Sequence, residues 1–115
     1  MSYPFRDQFA QAMDERLFCI EFLDSLLQDG KAFAWFSEKA AIVTEIKTYP
    51  TGAKVIEGLV AAGDLDEILK MIERAEAWGK EQGCIMARIE SRAGWVRKLK
   101  SKGWEVSQTA LVKEL

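Results

Sequence analysis

The sequence predicts a mixed α/β fold, an α+β arrangement in which an antiparallel meander runs into a parallel strand–helix–strand unit. Three observations carry this. Residues 54–63 form an apolar, β-branched stretch, residues 64–82 repeat their apolar positions at helical spacing, and residues 84–90 form a second short apolar run. Parallel strands need a covering crossover of this length. Upstream, residues 31–36 and 40–49 are rich in aromatic and β-branched side chains, with Ser37-Glu38-Lys39 and Pro50-Thr51-Gly52 as turns between strands. Finally, 115 residues suffice for one core and not for two.

The elements follow in order. Residues 1–30 form an N-terminal helical segment, with Pro4 at a first helical position and a break possible before Gln28. Phe9, Met13, Leu17, Ile20, Leu23 and Leu27 make one apolar stripe, and Phe18, Phe22 and Leu26 a second row. Such a helix packs on two sides or offers one side to a partner. Gly30 ends it. In the strand at 40–49, Val43, Glu45, Lys47 and Tyr49 share one face, and Ile42, Thr44, Ile46 and Thr48 the other. The long helix opens on Asp64 as N-cap with Glu67 in capping-box position, buries Leu65, Ile68, Leu69, Ile72, Ala75 and Gly79, and closes at Gly83. The run at 84–90 is expected to be a central strand buried on both faces. A short helix over 91–102 and a final strand over 104–115 complete the order α-β-β-β-α-β-α-β.

Composition excludes several functions. With no histidine, Ser-His and Cys-His catalysis and most zinc sites are absent, and no metal site is expected. The net charge of −2 argues against nonspecific nucleic-acid binding by the chain as a whole. No apolar run approaches the roughly 20 residues of a membrane span, and the N-terminus lacks a signal-peptide pattern. Cys19 and Cys84, each in apolar surroundings, are expected to be buried free thiols. Charge is uneven. Residues 88–104 carry six cations against Glu90, while residues 1–30 carry six carboxylates against Arg6 and Arg16. Arg92, Trp95, Arg97, Lys98, Lys100 and Lys102 are therefore candidates for a protein-interaction surface, complementary to an acidic helix of another subunit.

The element order over residues 31–115 resembles the GCN5-related N-acetyltransferase superfamily, the acyl-CoA N-acyltransferase fold, with its usual first strand missing or replaced by the N-terminal helix. Locally, Val43-Thr44-Glu45-Ile46 with Tyr49-Pro50, Ala77-Trp78, Glu81-Gln82-Gly83-Cys84, Gly94-Trp95 with Arg97 and Leu99, and the terminal Leu111-Val112-Lys113-Glu114-Leu115 resemble small acetyltransferase-like proteins of tailed bacteriophages and prophages. Some of those are assigned to the internal core of the virion. The resemblance implies a virion or host-cytoplasm setting and protein partners, either further copies of the chain or other virion proteins.

In such a fold the ligand lies outside the carboxyl ends of the parallel strands, at the Ala62-Gly63-Asp64 turn. The superfamily places there a Gln/Arg-x-x-Gly-x-Gly/Ala loop whose N–H groups bind the CoA pyrophosphate. Here the loop has one glycine, no arginine or glutamine, and three carboxylates, Asp64, Asp66 and Glu67, which repel a phosphate. Leu99 stands where the resemblance implies a proton-donating tyrosine. The expectation is therefore a noncatalytic structural or interaction module that uses no cofactor. The alternative is a CoA-dependent N-acyltransferase for an unknown amine. For it, Glu45 and Glu57 are the candidate general bases. Leu59, Val60, Ala61 and Gly63 are the candidate contacts to acetyl-CoA.

Overall fold

In a computed structural model, which describes residues 2–90 and 93–115, the elements are α1 (Arg6–Ala12), α2 (Ile20–Gln28), β1 (Ala32–Phe36), β2 (Ala40–Thr48), β3 (Lys54–Gly63), α3 (Leu65–Glu81), β4 (Met86–Ile89) and α4 (Ala93–Lys100). The sheet order is β1-β2-β3-β4. The first three strands are antiparallel and β4 is parallel to β3. The two turns close as their residues dictate. Ser37 Oγ accepts from the Ala40 N–H at 3.2 Å, and Tyr49 N–H donates to the Ala53 carbonyl at 2.8 Å around a left-handed Gly52.

Alternation along β2 feeds two cores. Ala40 and Ile42 pack beneath α3 with Ile56, Ile68, Leu69, Met71, Ile72, Ala75 and Leu99. Ala41 and Val43 face the other way, with Ala32, Phe9 of α1 and Leu23 of α2. Met71 lies beside the expected α3 stripe and is nonetheless buried. The N-terminal helical stretch is divided, because the Asp14 carboxylate accepts from the Arg16 N–H at 3.1 Å, a local turn that competes with the helix. The two short helices are clasped through buried Asp24, which accepts from Tyr3 Oη at 2.8 Å and Arg6 Nη2 at 2.7 Å. The second apolar row stays open, with Phe18 and Phe22 exposed.

Three expectations are corrected. The run at 84–90 is not a central strand. Only Met86–Ile89 is strand, at the sheet edge, with Ile85 and Met86 exposed. Residues 104–115 form no strand. A strand needs a partner edge as well as an alternating pattern, and the last residues lie exposed, with Arg16 Nη1 3.0 Å from Glu114 Oε1. Cys19 is exposed rather than buried, because it falls at the N-cap of α2, outside both cores, and Cys84 is only half-buried at the edge of the α3 core; both thiols are free.

Gly63 joins β3 to α3 at φ 104°. A Cβ there would collide with the Lys39 carbonyl oxygen and sit 2.7 Å from Ala40 Cα. Gly63→Ala is expected to destabilise the fold by about 2–3 kcal/mol, read as a lower urea midpoint with an unchanged denaturant slope.

Candidate active site at the fork of β3 and β4

β3 and β4 pair only from Val55↔Met86 to Gly58↔Ile89. Beyond that point β4 ends, while β3 continues to Gly63 against β2. Two local features produce the parting. Val43 pairs with Val60 but Thr44 with Gly58, so Leu59 is an extra residue in β3, a β-bulge that bends the strand. Gly58 also leaves room for Ile89, whose Cγ2 lies 2.7 Å from where a Cβ would stand. The strands therefore fork, and the fork holds a cavity of about 610 Å³.

One side of the fork is β3 from Gly58 to Gly63, the other β4 and Glu90. Leu65, Ile68, Ile72, Ala75 and Glu76 of α3 line one mouth together with Trp95 and Trp104; Gln8, Gln11 and Ala12 of α1 line the other. The cavity thus reaches both faces of the sheet. Among the described residues, β3 past Gly58 bonds to β2 alone, so its second edge offers backbone donors and acceptors to an extended, amide-bearing ligand.

This architecture has solved counterparts. A GCN5-related N-acetyltransferase from Ralstonia eutropha superposes with a TM-score of 0.69 at 21% identity, over 84% of this chain and 72% of that one. Glucosamine-6-phosphate N-acetyltransferase from Arabidopsis thaliana gives 0.68 at 14% identity, over 96% and 88%. A predicted acetyltransferase from Clostridium acetobutylicum, solved with acetyl-CoA, gives 0.66 at 13% identity, over 83% and 71%. The fold is that of the GCN5-related N-acetyltransferases. No protein-family model matches the sequence, and no curated protein matches it.

Within this acetyltransferase fold, Leu59, Val60, Ala61 and Gly63 all line the cavity. Gly63 is already required by its backbone angle and its contact with Lys39. The start of α3 is built for itself. Asp64 Oδ2 accepts from the Glu67 N–H at 3.1 Å, while the Asp64 N–H donates to the Lys39 carbonyl at 3.0 Å. Only the Asp64 half of the expected capping box forms. Asp66 and Glu67 add charge to the first turn, with Lys98 Nζ at 3.9 Å and Lys70 Nζ at 3.8 Å from them.

Glu45 and Glu57 stand side by side across β2 and β3, with Arg88 next on β4. Lys47 Nζ lies 3.3 Å from a carboxylate oxygen of each. Tyr49 Oη donates to Glu57, and Arg88 Nη1 donates to Tyr49 Oη at 2.8 Å and to Glu57 Oε1 at 3.1 Å. Burial pushes the Glu57 carboxyl up, but the hydrogen bonds from Tyr49 and Lys47, with the Lys47 and Arg88 charges, outweigh it and hold it below the ordinary range. Neither glutamate is among the cavity-lining residues; Arg88 is, and it touches Glu57.

Of the candidate interaction residues, Trp95 is half-buried and lines the cavity. Arg97 and Lys100 are exposed, and Lys102 Nζ bonds Glu73 Oε1 at 2.9 Å. Arg92 lies outside the described residues. Sequence reasoning missed Gln8, Gln11, Arg88 as part of the cavity, and Glu76. Glu76 was detectable, since it stands four residues after Ile72 on the buried side of α3, a carboxylate in an apolar stripe. Burial raises its carboxyl above the ordinary range, and nearby Glu73 adds to this against the pull of Lys102.

The two shifts predict opposite pH behaviour. Glu57, depressed, contributes stability that is present above its ordinary value of 4.5 and lost as pH falls through its folded value. Glu57→Gln should cost about 1–2 kcal/mol at neutral pH, with the urea-midpoint gap closing in acid. Glu76, raised, contributes stability that is present below 4.5 and lost as pH rises through its folded value. Glu76→Gln should melt higher than the parent protein at pH 8, with the difference vanishing near pH 4.

Proposed function

We propose that this protein is a CoA-dependent N-acyltransferase. The cavity passing through the β3–β4 fork carries the reading. An amine and an acyl thioester can enter from opposite faces of the sheet and meet at the bulge. The α3 mouth, lined by Leu65, Ile68, Ile72, Trp95 and Trp104, suits the pantetheine arm, which the free edge of β3 can bond through its amides. The α1 mouth, with Gln8, Gln11 and Arg88, suits a polar amine. The donor supplies an acyl group already activated as a thioester. The chain's part is to align the carbonyl carbon with the amine and to keep water out. Glu57, held ionised by Tyr49, Lys47 and Arg88, orients Arg88 at the amine's mouth.

The residues fit the pantetheine arm better than the pyrophosphate. Asp64 occupies one N–H of α3, and Asp66 and Glu67 put two further negative charges in its first turn. Each costs about 1 kcal/mol at 4 Å in water. Asp66→Asn with Glu67→Gln should therefore tighten acetyl-CoA about fivefold for each charge removed and leave S-acetylpantetheine unchanged, both measured by calorimetry. Release of free thiol from acetyl-CoA in the presence of polyamines, amino sugars or lysine peptides tests the activity. No heat with either thioester, and no thiol released, would overturn it.

The acidic start of α3 and the exposed Leu111, Val112 and Leu115 favour a second reading. In it the chain is a noncatalytic module that binds further copies of itself or other proteins of a tailed-phage particle, in the virion or the host cytoplasm. Recovery of the protein by mass spectrometry from purified particles, with no thiol release, is its expected outcome.

A further inference from the structure

Transfer from a thioester needs a proton for the departing sulfur, and the α4 position from which the resemblance leads one to expect a tyrosine is occupied by Leu99, buried in the core. Among the described residues, the titratable side chains lining the cavity are Glu76, Arg88 and Glu90. Arg88 keeps its proton at any working pH and is bonded to Glu57 and Tyr49. Glu90 is exposed. Glu76 is half-buried beside Ile72 and Ala75, on the α3 side where the apolar wall and Trp104 receive the donor arm.

Resting on the acyltransferase reading above, we propose that Glu76 is the proton donor to the leaving thiolate, in place of the tyrosine that Leu99 replaces. The amine nitrogen attacks the thioester carbonyl carbon, the C–N bond forms and the C–S bond breaks. The sulfur takes the proton of the Glu76 carboxyl to leave as a thiol. The nitrogen loses one proton to water, and the Glu76 carboxylate regains one from water, so the cycle closes without another reactant.

The charged groups around Glu76 bear on when it holds that proton. Glu73 on α3 favours the protonated form and Lys102, after α4, the ionised one. Arg88 and Glu90 lie on the β4 side of the same cavity. Burial is the largest influence and favours the protonated carboxyl. A pantetheine arm in the cavity displaces water and strengthens it.

The test compares the parent protein with Glu76→Gln and Glu76→Asp, each first shown to be folded by thermal melting. With acetyl-CoA and the best amine of the panel, Glu76→Gln should lose about a hundredfold in kcat. It should also lack the descending alkaline limb that the parent and Glu76→Asp show. With the 4-nitrophenyl thioester of acetic acid, whose thiolate leaves without a proton, the loss should shrink to about twofold. Independently of turnover, the Glu76 carboxyl carbon, assigned in NMR by its absence from Glu76→Gln, should titrate at higher pH once the unreactive thioether S-ethyl-CoA is added. Full activity of Glu76→Gln, an equal loss on both donors with the alkaline limb retained, or a titration unmoved by S-ethyl-CoA would overturn the assignment and leave the acyltransferase reading standing. A parent protein that releases no thiol from acetyl-CoA would instead remove the reading itself, and this assignment with it.

Discussion

The short pairing of β3 with β4 is the constraint on which the rest of the structure depends. β3 is bonded along its whole length to β2 but to β4 only as far as Gly58↔Ile89. The bulge at Leu59 turns β3 away, and Gly63 then passes the chain into α3 with no room for a side chain against Lys39 and Ala40. Asp64 fixes the start of α3 twice, through its own N–H on the Lys39 carbonyl and through its carboxylate on the Glu67 N–H. The helix is thereby pinned beside the gap instead of across it. A cavity with walls of backbone on one side and apolar side chains on the other follows from these few contacts.

Two glutamates, one lining the cavity and one behind its Arg88 wall, show why residue type alone does not set chemistry. Glu57 is held by Tyr49, Lys47 and Arg88, so its ionised form is favoured despite burial. Glu76 has an apolar setting with Glu73 beside it, so its neutral form is favoured. The same side chain is pushed toward its ionised form in one place and toward its neutral form in the other. The α3 terminus is a third environment. In many α/β folds it binds phosphate, whereas here its own carboxylates face that role.

Most of the architecture was legible because it rests on local pattern. The spacing of Ile68, Ile72 and Ala75 identifies α3, and the alternation of Val43, Glu45 and Lys47 with Ile42, Thr44 and Ile46 identifies β2, although that both its faces are buried near its start emerges only from the two cores. Asp64 was readable as a cap, and Leu59, Val60, Ala61 and Gly63 as the end of β3 beside the expected ligand. Residues 84–90 do hold a strand but at the sheet edge and not at its centre, and residues 104–115, read as a strand, form none. Both misreadings have one reason: what a strand pattern becomes is decided by what lies alongside. Likewise, nothing near Glu76 in sequence announces Trp104 or the fork, which line the same cavity from the segment after α4 and from the sheet.

By itself, then, the sequence determined the run of elements from β1 to α4, the buried stripe of α3 and the acidic, capped start of that helix, because each is a matter of residues within a few positions of one another. Only the tertiary structure decided that β3 and β4 part after Gly58, that Glu57 is tied to Arg88 and Tyr49, and that Glu76 faces a cavity. Those outcomes depend on the distance between segments far apart in the chain. Burial and Coulomb energies respond to that distance and not to separation in sequence.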